Sequence, residues 1–296
     1  MSSAALIVTY NRLEKLRLCW QSTAALAFDC IVIVDNASND GTQQWLATLD
    51  DPRLRVVRTE HNLGGAGGFK RGCKFISTCV EVDWVFLFDD DAYPASDLLD
   101  KFIKLDKGDY KLLCSKVVTP AGISCKMNLP YQKIPRTLFE NIQYGVDPER
   151  FLPEVDRRSE VATFSFVGAI IHRDVLALNY QEIHEDLFIY FDDVYFSYHL
   201  TQLGQRILYC PELVFVHDVI LNANIYKTWK LYYLVRNLIL SRKFFGDKGP
   251  FTSAAVSLRT VKIVLSWMVR GRSLESAGYL IRGIKDGVFD NAEKRH

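Results

Sequence analysis

The N-terminal part of the chain alternates short apolar runs with helical patterns. The apolar runs are Ala4 to Val8, Cys30 to Val34 and Leu54 to Arg58, and the helical patterns between them extend from about Leu13 to Ala27 and from about Gly41 to Leu49. This alternation predicts consecutive βαβ units, which form a mostly parallel sheet through right-handed crossovers. Such sheets bind ligands beyond the carboxyl ends of their strands. Polar residues that directly follow the apolar runs are therefore the first candidates for function.

Polar motifs follow the first two apolar runs. The segment from Thr9 to Arg12 comes after the first run, and the segment from Asp35 to Thr42 comes after the second. Because the carboxyl ends of parallel strands share one edge of a sheet, we expect both motifs to lie at that edge.

A triplet of carboxylates, Asp89, Asp90 and Asp91, ends the apolar run from Val85 to Phe88. A run without alternation is typical of a strand that is covered on both faces. Three adjacent anions repel one another, and a bound cation relieves that repulsion. The triplet therefore predicts a metal-bound phosphate at the same sheet edge. The alternative is a solvated turn before Pro94, because acidic residues are common in turns.

The segment from His61 to Phe69 contains four glycines and precedes a helical pattern from Lys70 to Cys79. Glycines let the backbone approach a ligand closely, and the start of the following helix presents free N–H groups to an anion. The glycine spacing differs from the dinucleotide-binding fingerprint. We therefore expect a turn that contacts an anionic ligand. The alternative is a flexible loop that needs positive φ angles.

Asp192 and Asp193 follow another apolar run, from Leu187 to Phe191. We interpret this run as a buried strand that carries the acidic pair at its end. The alternative is the first turn of a helix, where carboxylates are also favourable. His217 likewise follows a predicted strand, from Val214 to Val216. The proline-rich segment from Thr119 to Arg158 is expected to be a long irregular loop.

The pattern becomes helical beyond about residue 220. We therefore divide the chain into a domain of residues 1–220 and a helical C-terminal region of residues 221–296. Helical patterns from Tyr226 to Phe245 and from Ser253 to Val269 mix Arg and Lys with large apolar residues. Such helices are typical of proteins that lie on anionic membrane surfaces. The alternative is that they pack on the sheet domain, and the two interpretations are compatible.

The overall composition argues against several classes of protein. A chain of 296 residues with 24% charged and 49% hydrophobic residues is typical of a folded globular protein. Lys and Arg total 36 against 35 Asp and Glu, so the net charge does not favour nucleic acid as a partner. The seven cysteines form no CxxC pair, which favours a reducing cytosol over a disulfide framework or a zinc site. The sequence has neither a signal-peptide pattern nor an uncharged apolar run of about 18 residues.

The motifs at the predicted sheet edge resemble, in their order along the chain, those of the family 2 glycosyltransferases. They are Thr9 to Arg12, Asp35 to Thr42, Asp89 to Asp91, and Asp192 to Asp193. The resemblance covers about the first 220 residues. It implies an α/β fold of the GT-A type, which is Rossmann-like with a mostly parallel central sheet, followed here by a helical C-terminal extension.

Within that family, two segments make the chain most similar to the bacterial galactofuranosyltransferases. They are Asn62 to Phe69 and Phe88 to Asp91. Rhamnosyltransferases are close relatives of these enzymes. The segment from Tyr232 to Asn237 also resembles a motif in the C-terminal helices of the same transferases, which implies that this region belongs to the same enzyme.

The resemblance implies a nucleotide-sugar donor. Thr9 and Arg12 would frame the nucleotide, and Asp35 would accept a hydrogen bond from uracil. The donor sugar and diphosphate would be contacted by the glycine-rich segment and by the middle carboxylate of the triplet, that is, by Asn62, Gly64, Gly65, Ala66, Gly67 and Asp90.

The resemblance also implies a metal ion and a general base. Asp89, Asp91 and His217 would hold Mn²⁺ or Mg²⁺ against the diphosphate, and the histidine nitrogen would favour Mn²⁺. Asp193 would deprotonate the acceptor hydroxyl, and Asp192 would orient the acceptor sugar.

The expected reaction is an inverting, metal-dependent transfer of galactofuranose from UDP-galactofuranose to a lipid-linked saccharide. It would serve the synthesis of a bacterial surface polysaccharide such as O-antigen, capsule or cell-wall galactan. The alternatives are rhamnose transfer from dTDP-rhamnose and, outside the enzymes, a protein that binds a sugar nucleotide or a glycan. The expected location is the cytoplasm, peripherally on the inner face of the plasma membrane. No nucleic-acid partner is expected.

Overall fold

The computed structural model describes residues 1–219, 224–289 and 291. Helices cover both faces of a central sheet, which confirms the predicted α/β class. The predicted domain boundary between residues 220 and 221 lies outside the described residues and stays a prediction.

Nine strands form one sheet in the part of the chain that the structure describes. They are β1 (Ser3–Thr9), β2 (Cys30–Asp35), β3 (Leu54–Arg58), β4 (Trp84–Asp89), β5 (Ala92–Pro94), β6 (Leu112–Val118), β7 (Ser159–Val161), β8 (Ala169–His172) and β9 (Ile207–His217). Their order across the sheet is β3-β2-β1-β4-β8-β6-β9-β5, and β7 pairs with the first residues of β9. The first four strands are parallel, as the βαβ pattern predicts. Beyond β4 the sheet is mixed, because β8 runs antiparallel to both β4 and β6.

Ten α-helices lie in the described residues. They are α1 (Leu13–Ala24), α2 (Thr42–Leu46), α3 (Gly64–Cys79), α4 (Leu98–Lys104), α5 (Leu138–Val146), α6 (Arg173–Asn179), α7 (Asp192–Gln202), α8 (Lys230–Phe245), α9 (Ser253–Arg270) and α10 (Leu274–Val288). Helices α3, α6 and α7 pack on one face of the sheet, and α1 and α4 pack on the other. The central runs of β1, β2 and β4 are therefore buried on both sides, which explains why they lack alternation.

The strand register brings the predicted motifs to one edge of the sheet. Thr9 at the end of β1 pairs with Asp35 at the end of β2, and Val8 pairs with Asp89 at the end of β4. His217 at the end of β9 pairs with Ala92, the residue after the acidic triplet. The expectation that these residues share one edge is confirmed.

Helix α3 begins at Gly64 rather than at Lys70, so the predicted glycine-rich turn is wrong over most of its length. Glycine costs about 0.5–1 kcal/mol relative to Ala inside a helix. Here the missing side chains let α3 lie directly on β1. A Cβ atom at Gly68 would lie 2.4 Å from Val8 Cγ1, and one at Gly72 would lie 2.2 Å from Leu6 Cδ1. The close packing of helix on strand overrides the local propensity.

The run from Leu187 to Phe191 is not a strand, which corrects the prediction for the acidic pair. A 3₁₀ turn over Glu185–Leu187 is followed by Phe188, Tyr190 and Phe191 with positive φ angles of 66°, 68° and 67°. Asp192 and Asp193 then form the first turn of α7, as the alternative interpretation had it. Apolar and aromatic residues favour strands locally, but contacts with α8 hold this segment in another conformation, as described below.

The segment from Thr119 to Arg158 is not one irregular loop. It contains α5 and two 3₁₀ turns, Lys126–Asn128 and Pro148–Phe151. Helix α5 starts with a capping box, in which Thr137 and Glu140 bond reciprocally to each other's backbone N–H groups. The surrounding prolines obscured this helix in the sequence.

Helix α8 packs inside the protein and not on a membrane surface. Its Arg236 is fully buried, and α10 lies along it. The packing alternative is therefore correct for this helix, whereas α9 keeps an exposed side. In the described residues, no helix combines the length and the apolar character needed to cross a membrane.

Candidate functional site

A cavity of about 560 Å³ opens at the carboxyl edge of the sheet. Most of the predicted site residues line it, namely Thr9, Arg12, Asn62, Gly64, Gly65, Asp89, Asp90, Asp91, Asp192, Asp193 and His217. Residues that are far apart in the chain thus line the same cavity. Its volume lies within the range of about 300–1,000 Å³ that is usual for small-ligand sites.

Three predicted residues do not line this cavity. Asp35 is buried beside it, where its carboxylate accepts from the Ser38 N–H at 2.9 Å and from Arg58 at 3.2 Å. Ala66 is buried in α3. Gly67 leaves room for Leu63, because a Cβ atom there would lie 2.4 Å from Leu63 Cβ. Ala66 and Gly67 thus have packing positions inside α3, and their predicted contact with the donor stays a prediction.

Asp90 points into the fold and anchors the loop after β1. Its Oδ2 accepts from Thr9 Oγ1 at 2.8 Å and from the Tyr10 N–H at 3.4 Å, and its Oδ1 lies 3.4 Å from Arg12. Burial raises the pKa of Asp90 to about 6. Thr9 and Arg12 are thereby fixed at the cavity wall by the middle carboxylate of the triplet.

Asp91 and His217 form a pair at the cavity floor. His217 Nε2 lies 3.2 Å from Asp91 Oδ1, and Arg12 contacts the other oxygen of Asp91. Burial would raise the pKa of Asp91, but the hydrogen bond to His217 and the charge of Arg12 lower it. Burial would lower the pKa of His217, but the hydrogen bond to Asp91 helps to raise it to about 9.

The chemistry of this pair fits a divalent cation. Two ligands that bind one cation at about 2.1 Å and at a right angle are separated by about 3 Å, close to the separation seen here. His217 Nδ1 lies 2.8 Å from Asn128 Oδ1, so an Nδ1–H donor there would leave Nε2 as the metal ligand once the Nε2 proton is lost. Burial and repulsion from Asp91 and Asp90 raise the pKa of Asp89 to about 7.

The predicted three-ligand metal site stays a prediction. Over residues 1–219, 224–289 and 291, no three His, Cys, Asp or Glu side chains are grouped so that they could hold a metal ion together. Asp91 and His217 have the geometry of two ligands, and Asp89 lines the same cavity.

Asp192 and Asp193 face the cavity from the first turn of α7. Burial and the adjacent Asp193 raise the pKa of Asp192 well above its usual range. Burial raises the pKa of Asp193 only to about 6, because N–H groups of Val194 and Phe166 and the Ser165 hydroxyl bond to its carboxylate. Burial thus raises both pKa values and raises that of Asp192 more, so Asp193 is the carboxyl of the pair that ionises more easily. When the pKa values of two neighbouring carboxyls differ, the one with the lower pKa is suited to accept a proton and the other is suited to donate a hydrogen bond.

A chain of hydrogen bonds connects the two acidic sites. Asn128 Oδ1 bonds to His217, and Asn128 Nδ2 donates to Ser165 Oγ at 2.9 Å. Ser165 in turn bonds to Asp193. Because all three bonds fix side-chain directions, Asp193 is held at a set position relative to His217.

The strained segment before Asp192 is held by helix α8. The Asn237 carboxamide Nδ2 lies within 3.0 Å of three carbonyl oxygens, those of Leu187, Ile189 and Tyr190. The neighbouring Arg236 donates to the carbonyls of Asp186 and Leu187. These bonds offset the cost of positive φ at Phe188, Tyr190 and Phe191, which is about 1–3 kcal/mol for each strained residue.

The sequence profile of glycosyl transferase family 2 matches residues 4–177, which is more than half of the chain. The chain belongs to this family. The matched region includes the acidic triplet and the loops around it, whereas Asp193 and His217 lie beyond it.

Solved structures similar to this glycosyltransferase show the same fold over nearly all of the chain. A structure of residues 1–349 of S. aureus TarS has a TM-score of 0.55 at 16% identity and covers 98% of this chain and 83% of its own. The mannosyltransferase PcManGT from Pyrobaculum calidifontis, in complex with GDP-Man and Mn²⁺, has a TM-score of 0.54 at 16% identity, covering 97% and 87%. GalNAc-T7 with UDP, GalNAc and Mn²⁺ has a TM-score of 0.59 at 13% identity, covering 99% and 56%. The predicted GT-A fold is confirmed.

Among curated proteins, this glycosyltransferase is similar to the galactofuranosyltransferase GlfT1 of Mycolicibacterium smegmatis. The two are 33% identical over 93 residues, which are 31% of this chain and 30% of the relative. The match thus spans less than a third of the relative's length. The similarity therefore covers only one part of each protein.

The cavity of this glycosyltransferase also contains residues that the motifs did not indicate. Asn128 lies in a segment predicted to be an irregular loop, Ser165 lies within the apolar pattern from Val161 to His172, and Lys230 starts α8 after a long separation from the triplet. Burial and repulsion from Arg12 lower the pKa of Lys230. In the sequence, only the basic composition of the C-terminal helices indicated a residue such as Lys230.

Proposed function

We propose that this glycosyltransferase transfers galactofuranose, with inversion, from UDP-galactofuranose to a lipid-linked saccharide during bacterial surface polysaccharide synthesis. The observation that carries the proposal is the arrangement of one cavity with two different acidic sites. The triplet and His217 lie at the sheet edge, and Asp193, the more easily ionised carboxyl of its pair, lies on α7. A donor diphosphate suits the first site, and an acceptor hydroxyl suits the second.

The proposed reaction is a single displacement. The acceptor oxygen forms a bond to the anomeric carbon of the donor sugar, while the bond from that carbon to the phosphate oxygen breaks. The proton of the acceptor hydroxyl moves to Asp193, and nucleoside diphosphate leaves with the electron pair of the broken bond. Asp192, in its neutral form, donates a hydrogen bond that orients the acceptor.

Charge on the leaving diphosphate is the main electrostatic problem of this reaction. Asp91 and His217, with Asp89 nearby, would hold Mn²⁺ or Mg²⁺, which neutralises diphosphate charge when bound. Arg12 and Lys230 add positive charge to the same wall of the cavity. Inversion requires that the base face the reacting carbon from the side opposite the leaving diphosphate, and Asp193 is held for this role by Ser165, which Asn128 orients in turn.

The choice of donor rests on the partial similarity to GlfT1, together with the use of UDP by structural relatives. A lipid-linked acceptor stays at a membrane, so the proposed enzyme works at the cytoplasmic surface of the membrane that holds it. Rhamnose transfer from dTDP-rhamnose is the competing outcome.

The test is release of nucleoside diphosphate across a panel of nucleotide sugars, with a lipid-linked acceptor and with or without Mn²⁺. We expect turnover with UDP-galactofuranose that needs the metal and the acceptor. Turnover with dTDP-rhamnose alone would overturn the donor assignment. Full activity in a chelator would remove the proposed metal role of Asp89, Asp91 and His217.

Lys230 provides a prediction about the diphosphate. In the described part of the chain, the Lys230 ammonium has no hydrogen bond or ion pair. Lys230 lines the cavity and interacts electrostatically with Arg12, Asp91 and Asp89. We expect Lys230→Ala to raise the KM for the donor about tenfold, because one charge-assisted phosphate contact is worth about 1.5–3 kcal/mol. Lys230→Arg keeps the charge and is the matched control. Initial rates at varied donor concentration would show the effect, and an unchanged donor KM in the alanine variant would contradict the role.

A further inference from the structure

Helices α5 and α9 lie side by side and expose apolar residues to solvent. Asn141 of α5 accepts from Arg259 of α9 at 2.6 Å and from Lys262 at 3.4 Å. The outward side chains form what we term the α5–α9 face, made of Leu138, Phe139, Ile142, Val146, Val261, Leu265, Met268 and Val269. Phe139 is 66% exposed, Val146 82% and Val269 83%.

The exposed residues of α9 form a stripe with helical spacing. Val261, Leu265 and Met268 follow one another at intervals of four and three residues, which places them on one side of the helix. The opposite side packs into the protein through Ile263, Val264 and Trp267. A helix that is apolar on both sides is normally covered on both sides. Apolar patches of this extent on a soluble surface mark an interaction site.

Basic side chains predominate along α9 in the α5–α9 face. Helix α9 contains no acidic residue, Lys262 and Arg270 are exposed on it, and Arg272 is exposed just beyond its end. The acidic residues near α5 are Glu140, which pairs with Lys133, Asp147, which pairs with Arg150, and the exposed Glu149. A second copy that packs α9 against α9 would bring the α9 cations against the same cations. An anionic lipid surface would instead pair them with phosphate headgroups while burying the apolar side chains.

We propose that the α5–α9 face docks on an anionic lipid surface. The apolar side chains enter the boundary between headgroups and acyl chains, and the three basic side chains lie among the headgroups. The sequence pattern indicated a membrane contact for both α8 and α9. The inference keeps α9, leaves out the buried α8 and adds α5, which had no helical signal in the sequence. It stands on the exposed side chains and their charges and is independent of the donor sugar.

The test is flotation of the full-length protein with phosphatidylcholine vesicles that do or do not contain phosphatidylglycerol. We expect the protein to bind the anionic vesicles and to bind them more weakly at high salt, because salt screens the attraction between the basic side chains and the headgroups. The double variant Phe139→Ser/Leu265→Ser should bind about tenfold more weakly. Leu178→Ser on α6 is the matched control, since Leu178 is 83% exposed away from this face. The variant Arg270→Gln/Arg272→Gln tests the charges, and a loss of about 30-fold is expected at about 1 kcal/mol for each residue.

Three results would overturn the proposal. They are failure of the wild-type protein to bind anionic vesicles, unchanged binding of the double serine variant, and a wild-type dimer that the serine variant converts to a monomer in lipid-free sedimentation. Circular dichroism and the thermal midpoint check that the variants are folded. Because flotation uses neither donor nor acceptor, its result does not depend on whether the proposed sugar transfer is correct.

Discussion

Asp193→Asn is expected to lower kcat for sugar transfer by about 10²- to 10⁴-fold, the usual contribution of a positioned general base. The asparagine side chain has nearly the same shape as the carboxylate but cannot accept the proton of the acceptor hydroxyl. Donor binding should change little, because Asp193 is not among the residues proposed to contact the donor. Initial-rate assays with acceptor and calorimetric titration with donor would separate the two effects.

Asp192→Asn is the matched control for this substitution. Burial and the adjacent Asp193 raise the pKa of Asp192 well above its usual range, which favours its neutral form, so replacing it by a neutral amide should lower kcat less than about tenfold. The two variants differ by one position on the same helical turn. Similar losses in both would remove the assignment of Asp193 as the base.

The pH profile gives an independent measure of the same group. Burial raises the pKa of Asp193 to about 6, and only its deprotonated form accepts a proton. The wild-type kcat at saturating donor and metal should therefore rise with pH up to about 6 and level off above it. In the Asp193→Asn variant, the residual kcat should no longer rise with pH up to about 6. A wild-type profile without a step near pH 6 would contradict the proposed role.

The parts of the fold that could be predicted from the sequence are those whose causes lie within one short segment. The strands β1, β2 and β4 are buried on both faces, so each appears as an uninterrupted apolar run. Helix α9 was predicted almost to the residue because its apolar spacing is regular. Helix α3 was predicted too short, since its glycines are explained only by the approach of Val8 and Leu6 from another strand.

In the candidate site, too, the residues that could be predicted are those whose causes lie within one short segment. Asp89 to Asp91 could be predicted because three carboxylates follow a buried run, and their edge position was confirmed by the register with β1. Asn128, Ser165 and Lys230 could not, because each is brought to the cavity by partners more than thirty residues away along the chain. The conformation of Phe188 to Phe191 was predicted wrongly for this reason as well. Its positive φ angles depend on bonds from α8.

Asn237 is expected to act as a positioning residue for the base, although it does not line the cavity. Asn237→Ala removes the donor shared by the carbonyls of Leu187, Ile189 and Tyr190. Leaving buried carbonyls without a donor costs about 1–3 kcal/mol each. The strained segment should then relax away from its positive φ angles, and the start of α7 should shift with it. We expect a lower thermal midpoint and a fall in kcat of about 10²-fold, since small displacements of a reacting group can cost that much.

A purely structural role for Asn237 would lower stability without changing the chemistry of the folded enzyme. Ser241→Ala is the matched control, because Ser241 is buried one turn further along α8 and bonds to the Leu238 carbonyl and to the Tyr195 hydroxyl, but not to the strained segment. Both variants should lose stability, but only Asn237→Ala should lose kcat per folded molecule at a temperature well below its thermal midpoint. Its step near pH 6 should also shift, since the burial that raises the pKa of Asp193 depends on where α7 begins. Equal kcat in the two variants would show that the strained segment does not position the base.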